Sequence, residues 1–347
     1  MQKALSKLAH ARVFNDLHKR YRAEGDDTTT ATLLSTEAPG AMSWVTFNDQ
    51  LLKADTLPGD IFRTAMRFSL GFNQPILVEA AANNTPCGHC NDIFPTPEHY
   101  QTHALTITDG TDGGSTYNTH NRILEAVANC ARAAGAAYSV GATQHGIRNH
   151  NANCRLGTHT NINGAQTATY ADIAFLDMPQ SAFNAQRVYG DVTHRAVVGI
   201  HNGTPTPKYL ANEQAGAVLQ HAAAEKQKKY DEALRGRQNE KVTILAIETG
   251  GRMHKDFYRP IDTLAKLKAD ADAGPLDGDT DPAQAKHHKA VLARAKAAFT
   301  SRIQVARVKC VAERIMHITR TRTTRGCASA GRAGATRDRT RPTAAEN

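Results

Sequence analysis

Asp172 stands at the head of an apolar run, Ala171-Asp172-Ile173-Ala174-Phe175-Leu176, and Asp191 stands inside another, Gly190-Asp191-Val192-Thr193. A third apolar run ends on Glu248, and the polar helical stretch before it carries Lys226 and Lys229. Carboxylates at strand edges hold Mg²⁺ or Mn²⁺ through oxygen, and a nearby ammonium offsets charge that develops on a phosphate. This is the equipment of a metal-dependent phosphodiesterase. Asp172 and Asp191 would bind one or two ions, and a bound water would attack phosphorus. Lys226 or Lys229 would steady the phosphate, with Glu248 as a third ligand or a base. The same residue types have a plainer use. Acidic side chains at strand ends are often caps or solvated, and a lysine run is often a solvated helix face.

A second group has metal-ligand spacing. Cys87-Gly88-His89-Cys90 is a Cys-x-x-Cys knuckle, and His99 and His103 follow four residues apart, one helical turn. Two thiolates and two imidazoles on such elements converge on one tetrahedral Zn²⁺. The interval from Cys90 to His99 is shorter than in a common two-Cys, two-His finger. The alternative is a pair of free cysteines beside surface histidines. His145, His150, Cys154 and His159 lack regular pairing, and solvated loop histidines are the better reading there.

Hydrophobic periodicity supplies the elements that position these groups. Helices are expected over residues 2–24 and 58–70, with Asp26-Asp27-Thr28-Thr29-Thr30 breaking the first and Gly71 ending the second. A third helix is expected over 118–135 and a strand over 136–142. The Asn-, Gly-, Thr- and His-rich stretch 143–169 reads as an insertion or long loop. Strands at 171–177 and 188–198, a helix from Tyr209 to about Leu234 and a nearly all-apolar strand at 241–248 follow. The order α-β-β-β-α-β suits an α/β fold, a mixed sheet with a helix on either side. Helices at 256–270 and 284–318 close the ordered part. The expected organisation is a helical segment (1–80), a zinc knuckle (81–110) and a core (111–255) with the 143–169 insertion. C-terminal helices (256–319) and a basic, low-complexity, disordered tail (320–347) complete it.

Composition narrows the partner. The 347 residues carry a net charge of +9, which favours a polyanionic partner such as nucleic acid, DNA or RNA. The tail holds seven arginines against Asp338 and Glu346, so it contributes +5 and leaves the body only mildly basic. No run of about 18 apolar residues occurs, so no membrane span is expected. The first 25 residues lack the apolar centre of a secretory signal. Six cysteines, Cys87 and Cys90 paired by spacing and the other four scattered, make no disulfide framework, which points to a reducing, intracellular setting.

The ordered set of short motifs resembles one family. These are non-LTR retrotransposon proteins that carry a restriction-enzyme-like endonuclease after the reverse transcriptase. Leu33-Leu34-Ser35 with Pro39-Gly40-Ala41 and Trp44, and Phe62-Arg63 through Arg67-Phe68 to Gly71, resemble its approach to the knuckle. Cys87, Cys90 and His103 match its first three zinc ligands, and Thr119-His120-Asn121 lies where it has Arg-His-Asn. Tyr170-Ala171-Asp172 and Asp191-Val192-Thr193 match its Arg-Pro-Asp and Asp-Val-Thr. Lys226, Lys229-Tyr230 and Glu248-Thr249 with Gly251 match its helix and final strand, and Ser301-Arg302-Ile303 to Ala312 its closing helix. The similarity covers about residues 30–320. It implies a PD-(D/E)XK nuclease core that nicks target DNA, with structural zinc, catalytic Mg or Mn and a nuclear setting. The sequence departs from the family at Thr106, Ile107 and Thr108, where the fourth zinc ligand is a cysteine, and at Thr119, Ala171 and Thr193. His99 is the expected substitute ligand, and a broken site is the alternative. The alternative implied by these departures is a fragment that binds nucleic acid without cutting it.

Overall fold

The protein is seen in a computed structural model that describes residues 2–45, 56–107, 116–141, 143–144, 147–148, 151–160, 163–276 and 281–319. The basic tail, His145 and His150 lie outside the described residues.

Helices α1 (Gln2–Ala23), α2 (Asp27–Thr36), α3 (Gly59–Ser69) and α4 (Pro75–Ala82) lead the chain. The acid–threonine cluster that ends α1 also starts α2. The Asp26 side chain accepts from the Thr29 amide at 2.9 Å, satisfying one of the free donors of the new helix. Along α3, Ile61, Ala65 and Phe68 form the buried stripe, and Gly71, at φ 74°, ends it. The knuckle turn follows, then α5 (Pro97–Thr106) and α6 (Thr116–Ala133).

The core strands are β1 (Tyr138–Val140), then, after the insertion, β6 (Ile173–Phe175), β7 (Arg187–Arg195) and β10 (Glu240–Glu248). The stretch expected as an insertion or long loop is an insertion built of two hairpins, β2 (Thr143–Gln144) with β3 (Ile147–Arg148), and β4 (Arg155–Thr160) with β5 (Gln166–Tyr170). After β6 comes the short α7 (Gln180–Phe183). A hairpin of β8 (Val198–His201) and β9 (Thr204–Pro207), then α8 (Ala217–Ala233), joins β7 to β10. Helices α9 (Lys255–Ala273) and α10 (Pro282–His317) complete the described chain.

The sheet has the order β1-β6-β7-β10. β6 runs antiparallel to both neighbours, whereas β7 and β10 are parallel over nine residue pairs. Parallel strands cannot be joined by a tight turn, so a crossover must pass over one face, and α8 does so. The pleat sorts side chains by face. Val188, Val192, Leu245 and Ile247 pack with α6, α9 and α10, through Ile123, Phe257, Ile261 and Phe299. Tyr189, Val242, Ile244 and Ala246 pack with α8 and the β4–β5 hairpin, through Leu219, Tyr230 and Leu156. Buried on both faces, β10 reads in sequence as a nearly all-apolar run.

At about 1.5 Å per residue, the 36-residue α10 is roughly 54 Å long and packs along several parts of the molecule. Ala295, Phe299 and Ile303 lie against the sheet core, Val305, Val308 and Ala312 against Trp44 and Ile61, and Val311, Ile315 and Ile318 against Tyr100 and Leu105 of α5. Thus one helix ties the N-terminal helices and the knuckle to the sheet. Among the described residues no helix is long and apolar enough to cross a membrane.

Candidate functional site

The knuckle forms a metal-ligand cluster. The donor atoms of Cys87, Cys90 and His103 lie within 4.8 Å of one another, with Cys90 Sγ 3.3 Å from His103 Nε2. Metal–sulfur and metal–nitrogen bonds of about 2.3 and 2.0 Å place tetrahedral ligands at roughly such separations, so the three donors suit a structural zinc ion. The local chain is built for it. The Asp92 carbonyl accepts from the Cys87 amide at 2.7 Å, and the His89 amide donates to Cys87 Sγ at 3.3 Å. Asn91 turns the chain at φ 66°. Burial, followed by the neighbouring His89, lowers the pKa of His103 and keeps its imidazole neutral, the form a metal takes.

His99 is not part of this cluster, which corrects the expected fourth ligand. Its Nδ1 lies 2.9 Å from Thr96 Oγ1, the N-cap of α5, and its Nε2 lies 2.8 Å from the Gly203 carbonyl in the β8–β9 turn. Both ring nitrogens are engaged in tying the knuckle helix to that hairpin.

The two aspartates do come together. Ile173 pairs with Gly190, and the Asp172 amide donates to the Gly190 carbonyl at 3.0 Å, so Asp172 comes opposite Asp191. Asp172 Oδ2 accepts from the Val192 amide at 2.7 Å and lies 3.0 Å from His120 Nε2 of α6. The other ring nitrogen of His120 is 3.1 Å from Asn121 Oδ1. Burial pulls the His120 pKa down, but Asp172, Asn121 and Asp191 more than offset it and leave it above the ordinary histidine value.

Asp191 projects from the α8 face of β7. Its carboxylate accepts from Thr193 Oγ1 at 3.2 Å and from the Tyr230 hydroxyl, and Lys226 Nζ lies 3.2 Å from its Oδ2. Burial pushes the Asp191 pKa up, the Asp172 charge pushes it further, and Lys226 and Tyr230 act against both. Lys226 and Tyr230 are four residues apart on α8 and therefore face the same carboxylate. Of the two expected lysines, Lys226 makes the ion pair; the Lys229 ammonium lies 5.7 Å from the centroid of the Tyr230 ring.

Glu248 is the second correction. The register of β7 and β10 sets Ile244 beside Asp191 and Glu248 beside Arg195. Four strand residues separate the two positions by about 13 Å at roughly 3.3 Å each. Glu248 Oε2 lies instead 3.9 Å from Arg252 Nε. Burial raises its pKa to about 7, against the opposing influence of the Ser35 hydroxyl and Arg252.

Sequence reasoning missed His120 and Tyr230 as partners of the two carboxylates. The four-residue interval between Lys226 and Tyr230 is the signal that was available for the tyrosine. His120 carried none beyond its position in the Thr119-His120-Asn121 motif, since a helix 52 residues upstream reaches Asp172 only through the packing of α6 on the sheet. Gly190 matters to this geometry as well. A Cβ there would lie 2.7 Å from Ile173 Cγ2 and 2.8 Å from Leu245 Cδ1, so glycine lets β6, β7 and β10 close beside Asp191.

Comparison with known protein families, curated proteins and solved structures gives no match for this chain.

Proposed function

We propose that this chain is a metal-dependent DNA endonuclease of the restriction-enzyme-like class, the reading implied by its resemblance to non-LTR retroelement proteins. The observation that supports it most is the meeting of Asp172 and Asp191 on adjacent strands, with Lys226 from the crossover helix 3.2 Å from Asp191. The succession α6, β1, β6, β7, α8, β10 is also the α-β-β-β-α-β order expected of a PD-(D/E)XK core. A buried Asp191 whose proton affinity is raised by burial and by the neighbouring Asp172 charge is a fit for a divalent cation, which relieves that repulsion.

Asp172 and Asp191 would hold that ion, Mg²⁺ or Mn²⁺. When bound it would lower the charge barrier to attack on a phosphodiester. The side chains around it have distinct tasks. The Val192 amide and His120 orient Asp172, while Tyr230 and Thr193 orient Asp191. Lys226, 28% exposed, can turn from Asp191 toward a phosphate and neutralise it. A DNA substrate implies a nuclear setting, and structural zinc at Cys87, Cys90 and His103 would stiffen the knuckle.

One observation favours a second reading, a nucleic-acid-binding fragment that does not cut. Asp172 and Asp191 already have basic partners in His120 and Lys226, which can stand where a metal would. Plasmid nicking separates the two. The purified protein should nick supercoiled DNA with Mg²⁺ or Mn²⁺, and Asp191→Asn should abolish nicking while leaving DNA binding. Equal behaviour of the two proteins excludes catalysis at this site.

A further inference from the structure

A cavity of about 610 Å³ is walled by the β8–β9 hairpin, the end of β7 and the first turns of α8. Its contents are unlike those of an ordinary surface cleft. Lys208 is half-buried, with its aliphatic stem laid so closely over Gly199 that a Cβ there would meet Lys208 Cε at 2.5 Å. Among the described residues no carboxylate lies within ion-pairing distance of Lys208. Burial, then the charge of Arg195, lowers its pKa. Arg195 is 3.5 Å from Glu225, an ion pair half open to solvent. Next to these cations stands an aromatic platform. The rings of Tyr209 and His221 stack at 3.9 Å and 18°, yet Tyr209 is 53% exposed.

A single inorganic anion would use the cations and leave the stacked rings without a role. A purely apolar ligand would leave Lys208 uncompensated. A nucleotide unit uses both, phosphate on Lys208 and Arg195 and base on the exposed ring, because every base has a π-face and every linkage a charge. The position agrees. Arg195 is four strand residues beyond Asp191, about 13 Å, or roughly four base steps of a duplex strand at 3.4 Å each. Glu225 immediately precedes Lys226 on α8.

We propose that this cavity is a DNA-strand subsite, in which Lys208 and Arg195 take a backbone phosphate and Tyr209, backed by His221, takes an unpaired base. The assignment rests on the DNA partner of the reading above but not on cleavage. It also gives the knuckle a purpose, because His99 braces the Gly203 turn of the hairpin that forms the cavity wall.

The test uses the full chain, without added divalent ions, and a 12-nucleotide single-stranded DNA bearing a central 2-aminopurine. Wild type should bind it with quenching of the 2-aminopurine. Tyr209→Gly should lose the quenching and weaken binding about 5- to 100-fold. This variant is safe for folding, since Tyr209 sits at φ 51°, where glycine carries no steric cost. Lys208→Gln should weaken binding and reduce the slope of log affinity against log salt by about one. Native affinity, quenching and salt slope in both variants would overturn the subsite. Asp191→Asn runs alongside. Loss of nicking dependence on Asp191 with binding still dependent on Tyr209 removes the nuclease and keeps the subsite, and the converse result does the opposite.

Discussion

Lys226 and Asp191, 35 residues apart in the chain, meet at 3.2 Å beneath the crossover helix, the lysine 28% exposed and the carboxylate 5%. The pair is placed by the parallel β7–α8–β10 unit, and it sets the electrostatics of the carboxylate site. Burial favours the protonated Asp191, and the ammonium is the main influence holding it ionised.

Removing that ammonium therefore has a signed consequence. Lys226→Met should lower stability by about 1–3 kcal/mol at neutral pH, because a buried carboxylate loses its charged partner. The loss should shrink in mildly acidic buffer, where Asp191 takes up a proton and no longer needs the lysine. Urea melts at two pH values measure this, and a pH-independent loss would mean that the pair is electrostatically idle.

Glu248 gives the second pH prediction. Its pKa is about 7 in the folded protein and near the ordinary glutamate value when unfolded, so the native state binds the extra proton. Stability should then fall as pH rises from about 4.5 to about 7, by roughly 3 kcal/mol, and stay lower above that. Glu248→Gln should remove this part of the slope. Parallel pH profiles for variant and wild type would show that the glutamate is not strained by burial.

The knuckle should carry roughly one zinc ion per chain. Cys90→Ser should release it, and a chelator should lower the melting temperature of wild type but not of the variant. Elemental analysis of purified protein that finds no zinc would remove the structural metal.

Gly190→Ala should destabilise by about 1–3 kcal/mol, since the new methyl group would overlap Ile173 and Leu245 and push the strands apart. If the nuclease reading holds, nicking should fall more than stability alone explains, because Asp191 moves with the strand. A variant that melts like wild type would show that the sheet opens without cost.

Much of this protein was legible from the chain itself, for a local reason. Periodicity and turn chemistry act over a few residues, so α3, α6, β10 and α10 lie close to where the apolar spacing set them, and the Cys87–Cys90 interval announced a ligand pair. A local pattern misleads where the backbone turns. The helix expected from Tyr209 begins at Ala217, because Tyr209, Leu210 and Gly216 take left-handed conformations that no α-helix continues through. Those turned residues line or adjoin the cavity assigned to DNA.

Which acidic groups meet was decided by tertiary structure alone. All three carboxylates sit on or beside strands with similar apolar flanks, and nothing in their sequence neighbourhoods ranks them. The antiparallel register of β6 on β7 brings Asp172 to Asp191, and the parallel register of β10 carries Glu248 about 13 Å past them. Residue types and spacing specified the strands and the possible chemistry. The offset between strands, a long-range packing choice, selected which of those side chains share a site.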